Sequence, residues 1–304
     1  MFRYALAAST LRVFSAHSAS KKLYRKIGNT FGQRKRLKVR DINIRVDRGD
    51  LLISLCRAYN AVRDGDHVLE IGTGWMHWYS LYLRFFYNVK VTAFDVWDNR
   101  QFKALQAAAK KLEAVFDRSG TDAKVIENVR KVHHCTGFDD LYRTFGYEYV
   151  IEPTGTGALS QFSNSHFDFI TSFHVLEHVP TQYLKALAND MYRTLKPGAI
   201  TIHQIGIDDH LTHYDRKASQ KQYLKYSDRT WRILFENYVQ YFNRLQPSDW
   251  EALFKSAGFT LLDKIAEKTS IDSLPINNKF REYPKEDLEC TILTLVYQKP
   301  IGQS

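Results

Sequence analysis

Between residues 67 and 205 short apolar runs alternate with longer stretches of helical period, and this alternation constrains the fold more than any other property of the chain. His67 to Ile71, Lys90 to Phe94, Tyr147 to Ile151, Phe167 to Phe173 and Ala199 to Ile205 are short runs dominated by large apolar and aromatic residues, as buried strands are. Leu51 to Val62, Trp75 to Tyr87, Asn99 to Arg118 and Thr181 to Leu195 read as helices. Strand, helix, strand in succession predicts an α/β domain whose largely parallel sheet is covered on both faces. Pro180 precedes the helix at 181, and Lys196-Pro197-Gly198 ends it, because proline cannot continue the hydrogen-bond ladder and glycine can turn left-handed. Phe259 to Ile265 and Thr291 to Tyr297 predict an antiparallel C-terminal edge.

The chemistry concentrates in Val68-Leu69-Glu70-Ile71-Gly72-Thr73-Gly74-Trp75, a strand ending in an acid and two closely spaced glycines. Glycines at the carboxyl end of such a strand let backbone approach a ligand where open α/β sheets bind theirs. The next strand ends in Asp95, 21 residues after Gly74, where a carboxylate can accept both hydroxyls of a ribose. A dinucleotide site wants a third glycine for its pyrophosphate; here Met76 and His77 occupy the places where one would stand.

Strand-Glu-x-Gly-x-Gly with a downstream Asp resembles the first two motifs of class I S-adenosylmethionine-dependent methyltransferases. Phe167-Asp168-Phe169-Ile170-Thr171-Ser172-Phe173-His174-Val175-Leu176-Glu177-His178-Val179-Pro180 resembles the fourth-strand motif of that superfamily, and Leu195-Lys196-Pro197-Gly198 its post-helix turn. The resemblance spans residues 68 to 205 and implies a doubly wound, Rossmann-like, seven-stranded sheet. It further implies S-adenosyl-L-methionine as cofactor, held by Glu70, Gly72, Thr73, Gly74, Asp95, Val96 and His174, with adenine near Gly155, Thr156 and Gly157. The wording from Gly72 to Trp78 and from Phe94 to Arg100 also resembles a bacterial subgroup associated with glycan and exopolysaccharide biosynthesis. Trp75, Trp78 and Trp97 read either as packing of helix on sheet or as cofactor contacts.

Methyl transfer from a sulfonium is an in-line displacement, in which positioning contributes most and a base helps a hydroxyl nucleophile. His174, at the end of its strand, and Asp208 and His210, after the next, are the catalytic candidates, with Asp209 and His213 nearby; Glu177 and His178 are expected to fix the turn. No metal is expected, because His203, Asp208, His210 and His213 match no established ligand spacing. About forty residues, 207 to 246, form an insertion before the helix near Pro247. Its Tyr214, Tyr223, Tyr226, Trp231, Phe235, Tyr238, Tyr241 and Phe242, interleaved with Lys221, Lys225, Arg229 and Arg232, suit a sugar or an anionic acceptor, or form the core of a helical cap.

The net charge of +10 lies entirely in residues 1 to 50, with 13 basic and 3 acidic residues. This predicts a basic N-terminal arm ahead of a methyltransferase domain at 51 to 304 that includes the cap. Residues 1 to 40 hold no acid and suit an anionic membrane surface, with RNA as a weaker alternative partner. Cys56, Cys135 and Cys290 form no disulfide or zinc pattern, and no apolar run is long enough to span a bilayer; a cytoplasmic enzyme, with a membrane-peripheral location as the alternative, is expected. O-methylation of a small molecule or glycan precursor is the leading expectation, with an RNA methyltransferase or a non-catalytic cofactor-binding scaffold as alternatives. The acceptor and the oligomeric state are not encoded in these patterns.

Overall fold

The computed structural model describes residues 2–36, 39–152, 159–215 and 217–302. Its strands are β1 (His67–Ile71), β2 (Lys90–Asp95), β3 (Tyr147–Ile151), β4 (Phe167–Phe173), β5 (Leu195–Gly206), β6 (Thr260–Lys268) and β7 (Cys290–Gln298). Its helices are α1 (Phe2–Ser15), α2 (Ser18–Arg36), α3 (Val39–Ala58), α4 (Trp78–Phe86), α5 (Phe102–Ser119), α6 (Ala123–His134), α7 (Phe138–Phe145), α8 (Thr181–Thr194), α9 (Asp228–Leu234), α10 (Pro247–Ser256) and α11 (Lys285–Glu289). The seven strands run in the order β3-β2-β1-β4-β5-β7-β6. β1 pairs in parallel with β2 and β4, and β2 with β3. β7 runs antiparallel to β5: the Gly198 and Thr291 ends of the two strands are opposed, with Gly198 N–H donating to Lys299 O and Ile207 N–H to Thr291 O. All seven strands read from the sequence are present, and β4 is buried almost throughout, Thr171 and Ser172 included, as a strand covered on both faces is.

The differences lie in the helices. α3 starts twelve residues earlier than Leu51, and α4 starts at Trp78 because residues 72–77 form the loop after β1. α6 and α7 fill the stretch before β3 that sequence patterning left unassigned. β5 begins directly at Leu195, so the Lys-Pro-Gly turn is its opening segment.

The chain divides into two compact units. One comprises Gly28–Phe173, Asn189–Ile202 and Gln298–Ser304, and holds β1 to β4 with α3 to α7. The other comprises Met1–Ile27, His174–Ala188 and His203–Tyr297. Residues 1–27 therefore group with the insertion, and residues 28–50 with the first unit.

In the second unit Tyr4, Ala8 and Leu11, one face of α1, are buried in a core with Leu211, Tyr223, Leu224, Trp231, Phe235, Phe242 and Phe280. The Tyr4 hydroxyl donates to Asp209 Oδ2 at 2.6 Å, and Arg12 donates to the carbonyl of Arg232 at 2.9 Å. Ser15 Oγ accepts from the amides of Tyr238 and Val239. Most of the insertion's aromatics thus form the core of the cap, while Tyr214 and Tyr238 stay exposed. Lys221 is buried too, its Nζ donating to the carbonyls of Ile207 and Cys290. The three cysteines are free and buried. No helix among the described residues is long and apolar enough to cross a membrane.

Candidate active site

In the first unit, β1 and β2 lie in register from His67↔Lys90 to Ile71↔Phe94, which brings the loop after β1 beside Asp95 at the end of β2. The amides of Gly72 and Thr73 both donate to Phe94 O, so the chain turns immediately after the strand. Gly72 and Gly74 adopt φ of 73° and 63°, a region costly for any residue with a Cβ. Asp95 Oδ2 accepts from Gly74 N–H at 2.9 Å and Oδ1 from Val96 N–H at 2.7 Å. Trp97 N–H is a third backbone donor to this carboxylate, which leaves about one of its roughly four lone-pair sites for a ribose hydroxyl. Burial raises the Asp95 pKa against these donated bonds. Val96 beside it is 36% exposed.

Glu70 faces the other way. It is 2% exposed, and its Oε2 accepts from Thr73 Oγ1 at 2.7 Å and Ser80 Oγ at 2.5 Å. Burial pushes its carboxyl up to about 7 against those two donors. Thr73 Oγ1 also lies 2.6 Å from His77 Nδ1, and His77 Nε2 lies 2.7 Å from Tyr142 OH. A hydroxyl carries one proton; with Thr73 donating to Glu70, His77 must donate from Nδ1 and accept from Tyr142 at Nε2. That tautomer is neutral, in keeping with burial driving the His77 pKa down to about 3. Glu70, Thr73, His77, Ser80 and Tyr142 therefore form a connected network, extended by Tyr147 and Arg100, that fixes the glycine loop. Sequence reading registered His77 only as a missing glycine, and its partners, from α4 and α7, carry no motif. Trp78 is buried with Nε1 donating to Arg45 O, the packing role, whereas Trp97 is 38% exposed. Gly155, Thr156 and Gly157 lie outside the described residues.

In the second unit His174, Glu177, His178, Asp208 and His210 gather around Gly206. His174 holds φ at 53°, its amide donating to Gln204 O. Its Nδ1 lies 3.3 Å from Glu177 Oε1, which also accepts from Gly206 N–H at 3.0 Å. His174 Nε2 and Glu177 Oε2 are buried without a partner among the described residues. Burial opposes the Glu177 charge, but the His174 bond and the surrounding histidines outweigh it and hold its pKa below the usual carboxylate value. His178 Nδ1 lies 2.6 Å from Tyr241 O, and its ring centroid is 5.0 Å from that of His210. Burial lowers the His210 pKa to about 3 and raises that of Asp208, whose Oδ1 is 3.9 Å from His210 Nε2. His213 caps His210 O through Nδ1, Asp209 is taken up by Tyr4, and His203 is buried with its ring on Phe254 at 5.1 Å. Of the four residues considered from sequence as metal ligands, His203 packs apart on Phe254 while Asp208, His210 and His213 stay near one another, and Glu177 and His178 do more than start a turn.

Residues 45–264 match a family defined as a methyltransferase domain. The chain belongs to that family. It is an S-adenosylmethionine-dependent methyltransferase domain, and the seven-stranded order with an antiparallel β7 is its Rossmann-like fold. Among solved structures, this methyltransferase is similar to an S-adenosylmethionine-dependent methyltransferase from Methanosarcina mazei, at 18% identity over 81% of this chain and 97% of that one, with a TM-score of 0.47. It is also similar to phosphoethanolamine N-methyltransferase 2 of Haemonchus contortus, solved with phosphomonomethylethanolamine and S-adenosylhomocysteine, at 14% identity over 83% of this chain and 52% of that one, with a TM-score of 0.44. No curated protein matches at the sequence level.

Proposed function

We propose that this methyltransferase holds S-adenosylmethionine with Gly72, Thr73, Gly74, Asp95 and Val96, braced by Glu70, and methylates a hydroxyl of a small molecule or glycan precursor with His174 as base. The cofactor supplies an electrophilic methyl group on a sulfonium. Asp95, held by backbone amides at the end of β2, retains acceptor capacity for a ribose hydroxyl, and the two left-handed glycines leave the loop backbone uncovered. The observation that carries the hydroxyl reading is the His174–Glu177 pair, in which an ionised carboxylate orients Nδ1 and leaves a buried Nε2 lone pair unclaimed. An acceptor hydroxyl attacking that methyl group would pass its proton to His174 Nε2. Glu177 stabilises the imidazolium so formed. Asp208 and His210 shape the polar surroundings of this pair.

His174→Gln is expected to lower kcat about 10²- to 10⁴-fold while leaving S-adenosylhomocysteine affinity, measured by calorimetry, intact. Asp95→Ala does the reverse. Methyl-labelled cofactor incubated with fractionated cell extract should place label in a hydroxyl-bearing small molecule or glycan precursor; label in RNA overturns the acceptor, and absence of released S-adenosylhomocysteine in every fraction favours a scaffold. A peripheral membrane location in the cytoplasm accompanies this reading. α2 exposes Leu23 (52%) and Ile27 (40%) one helical turn apart beside Lys21, Lys22 and Lys26. Vesicles containing phosphatidylglycerol should retain the protein more strongly than neutral ones, and equal retention refutes this.

A further inference from the structure

We propose that Glu177, His178 and His210 form a site for a borderline divalent cation such as Zn²⁺, with at least one coordination position left open for an oxygen ligand. One ligand atom from each residue can be chosen so that all lie within 4.8 Å of one another. A cation about 2.0–2.2 Å from each requires these atoms to draw together by roughly 1 Å, within reach of small side-chain rotations. Two histidines and a carboxylate are the protein ligands of one established class of open zinc sites.

The surroundings supply what such ligands need. His178 Nδ1 sits 2.6 Å from Tyr241 O, an acceptor only, so Nδ1 carries the proton and Nε2 presents its lone pair. Glu177 is fixed through Oε1 by Gly206 N–H and His174, and through its carbonyl by Asn243 N–H. Its Oε2 is left unpartnered on a side chain only 2% exposed. Oε2 carries the desolvation cost of an unpaired buried acceptor, and a cation held by one atom from each of the three side chains would offset it. Asp208 Oδ1, 3.9 Å from His210 Nε2, adds a second carboxyl group outside the ligand set. Gly206 keeps the space clear: a Cβ there would lie 2.7 Å from Glu177 Oε1 and 3.4 Å from Asp208 Oδ1.

The cation site stands on this geometry; its role rests on the O-methyltransferase reading, under which the open position takes the acceptor hydroxyl and lowers its pKa before His174 removes the proton.

The test uses the untagged full-length protein, stripped with chelator and desalted, then titrated with ZnCl₂ by calorimetry and with CoCl₂ by visible absorption. One equivalent should bind, with a cobalt spectrum of low coordination number. His178→Ala and His210→Ala, confirmed folded by circular dichroism, should each weaken binding beyond the about 10- to 100-fold typical of losing a mere supporting partner. His134→Ala, an exposed histidine in the other unit, should bind as the parent does. Absence of saturable uptake by the parent, or parental affinity in both site variants, overturns the proposal. S-adenosylhomocysteine is titrated in parallel: binding of it without cation uptake removes the cation site and leaves the methyltransferase reading, and cation uptake without it does the opposite.

Discussion

Replacing Tyr4 with Phe removes one hydroxyl from a helix that composition alone would have left as a loose basic arm. The ring of Tyr4 is fully buried against Phe235 at 5.3 Å, and its hydroxyl donates to Asp209 Oδ2, another fully buried group. Phe keeps the ring contact, so the loss isolates a hydrogen bond to a carboxylate, worth about 1.5–3 kcal/mol when that carboxylate is charged and about 0.5–1.5 when it is neutral. Asp209 is pushed up to about 7, first by burial, while the Tyr4 bond pulls it down. Removing the donor therefore raises the Asp209 pKa further. By linkage, the penalty must be smallest at pH 5, where Asp209 is protonated in both proteins, and largest at pH 8.5, where it is ionised.

The assay is hydrogen exchange of the amides of α9, which packs against α1 in the same core, corrected for intrinsic rates. At pH 8.5 Tyr4→Phe should accelerate exchange about 10- to 150-fold, the equivalent of 1.5–3 kcal/mol. At pH 5 the factor should fall below about 10. Tyr4→Ala, which also empties the ring's space, should cost about 3–5 kcal/mol. Exchange in Tyr4→Phe within twofold of the parent at pH 8.5, or a larger penalty at pH 5 than at pH 8.5, would refute the docking of α1 and the buried bond together.

Three further outcomes follow from single positions. Because folding raises the Asp209 pKa from about 3.9 to the value near 7, its contribution is full below pH 4 and is lost as pH rises through 7, by at most about 4 kcal/mol; Asp209→Asn should flatten that fall in urea denaturation, and an unchanged pH slope would count against it. Gly206→Ala drives a Cβ to 2.7 Å from Glu177 Oε1 and 3.0 Å from His174 Nδ1, so it should cost about 1–3 kcal/mol, read as a lower urea midpoint, and a parental midpoint would show that the cluster yields freely. Gly74→Ala forces a Cβ onto a residue at φ 63°; a strain of about 1–2 kcal/mol should weaken S-adenosylhomocysteine roughly 10-fold in calorimetry, and full affinity would dissociate the loop from the cofactor.

What could be read in advance divides along the range of the interactions involved. The strands were legible because large apolar residues cluster in them, a property of neighbours in sequence. Gly72, Gly74 and Asp95 were legible because backbone conformation and strand-end placement are local too. Glu70 shows where that reading stops: its place at the end of β1 is local, but its 2% exposure and its bonds to Thr73 and Ser80, which brace the loop, are not. The docking of α1 depends on a hydrogen bond between residues 205 positions apart, and the face made by Tyr4, Ala8 and Leu11 is hidden among residues whose charge dominates the composition. The histidine cluster was half visible for the same reason. His174 and His210 could be placed at strand ends, but the worth of Glu177 and His178 depends on Gly206 and Tyr241, which approach them only after folding. A carboxylate oxygen without a partner cannot be seen in a sequence, because being unpartnered is a statement about every residue that is not there; the buried Oε2 of Glu177 becomes chemical information only in the folded second unit, where no described residue donates to it.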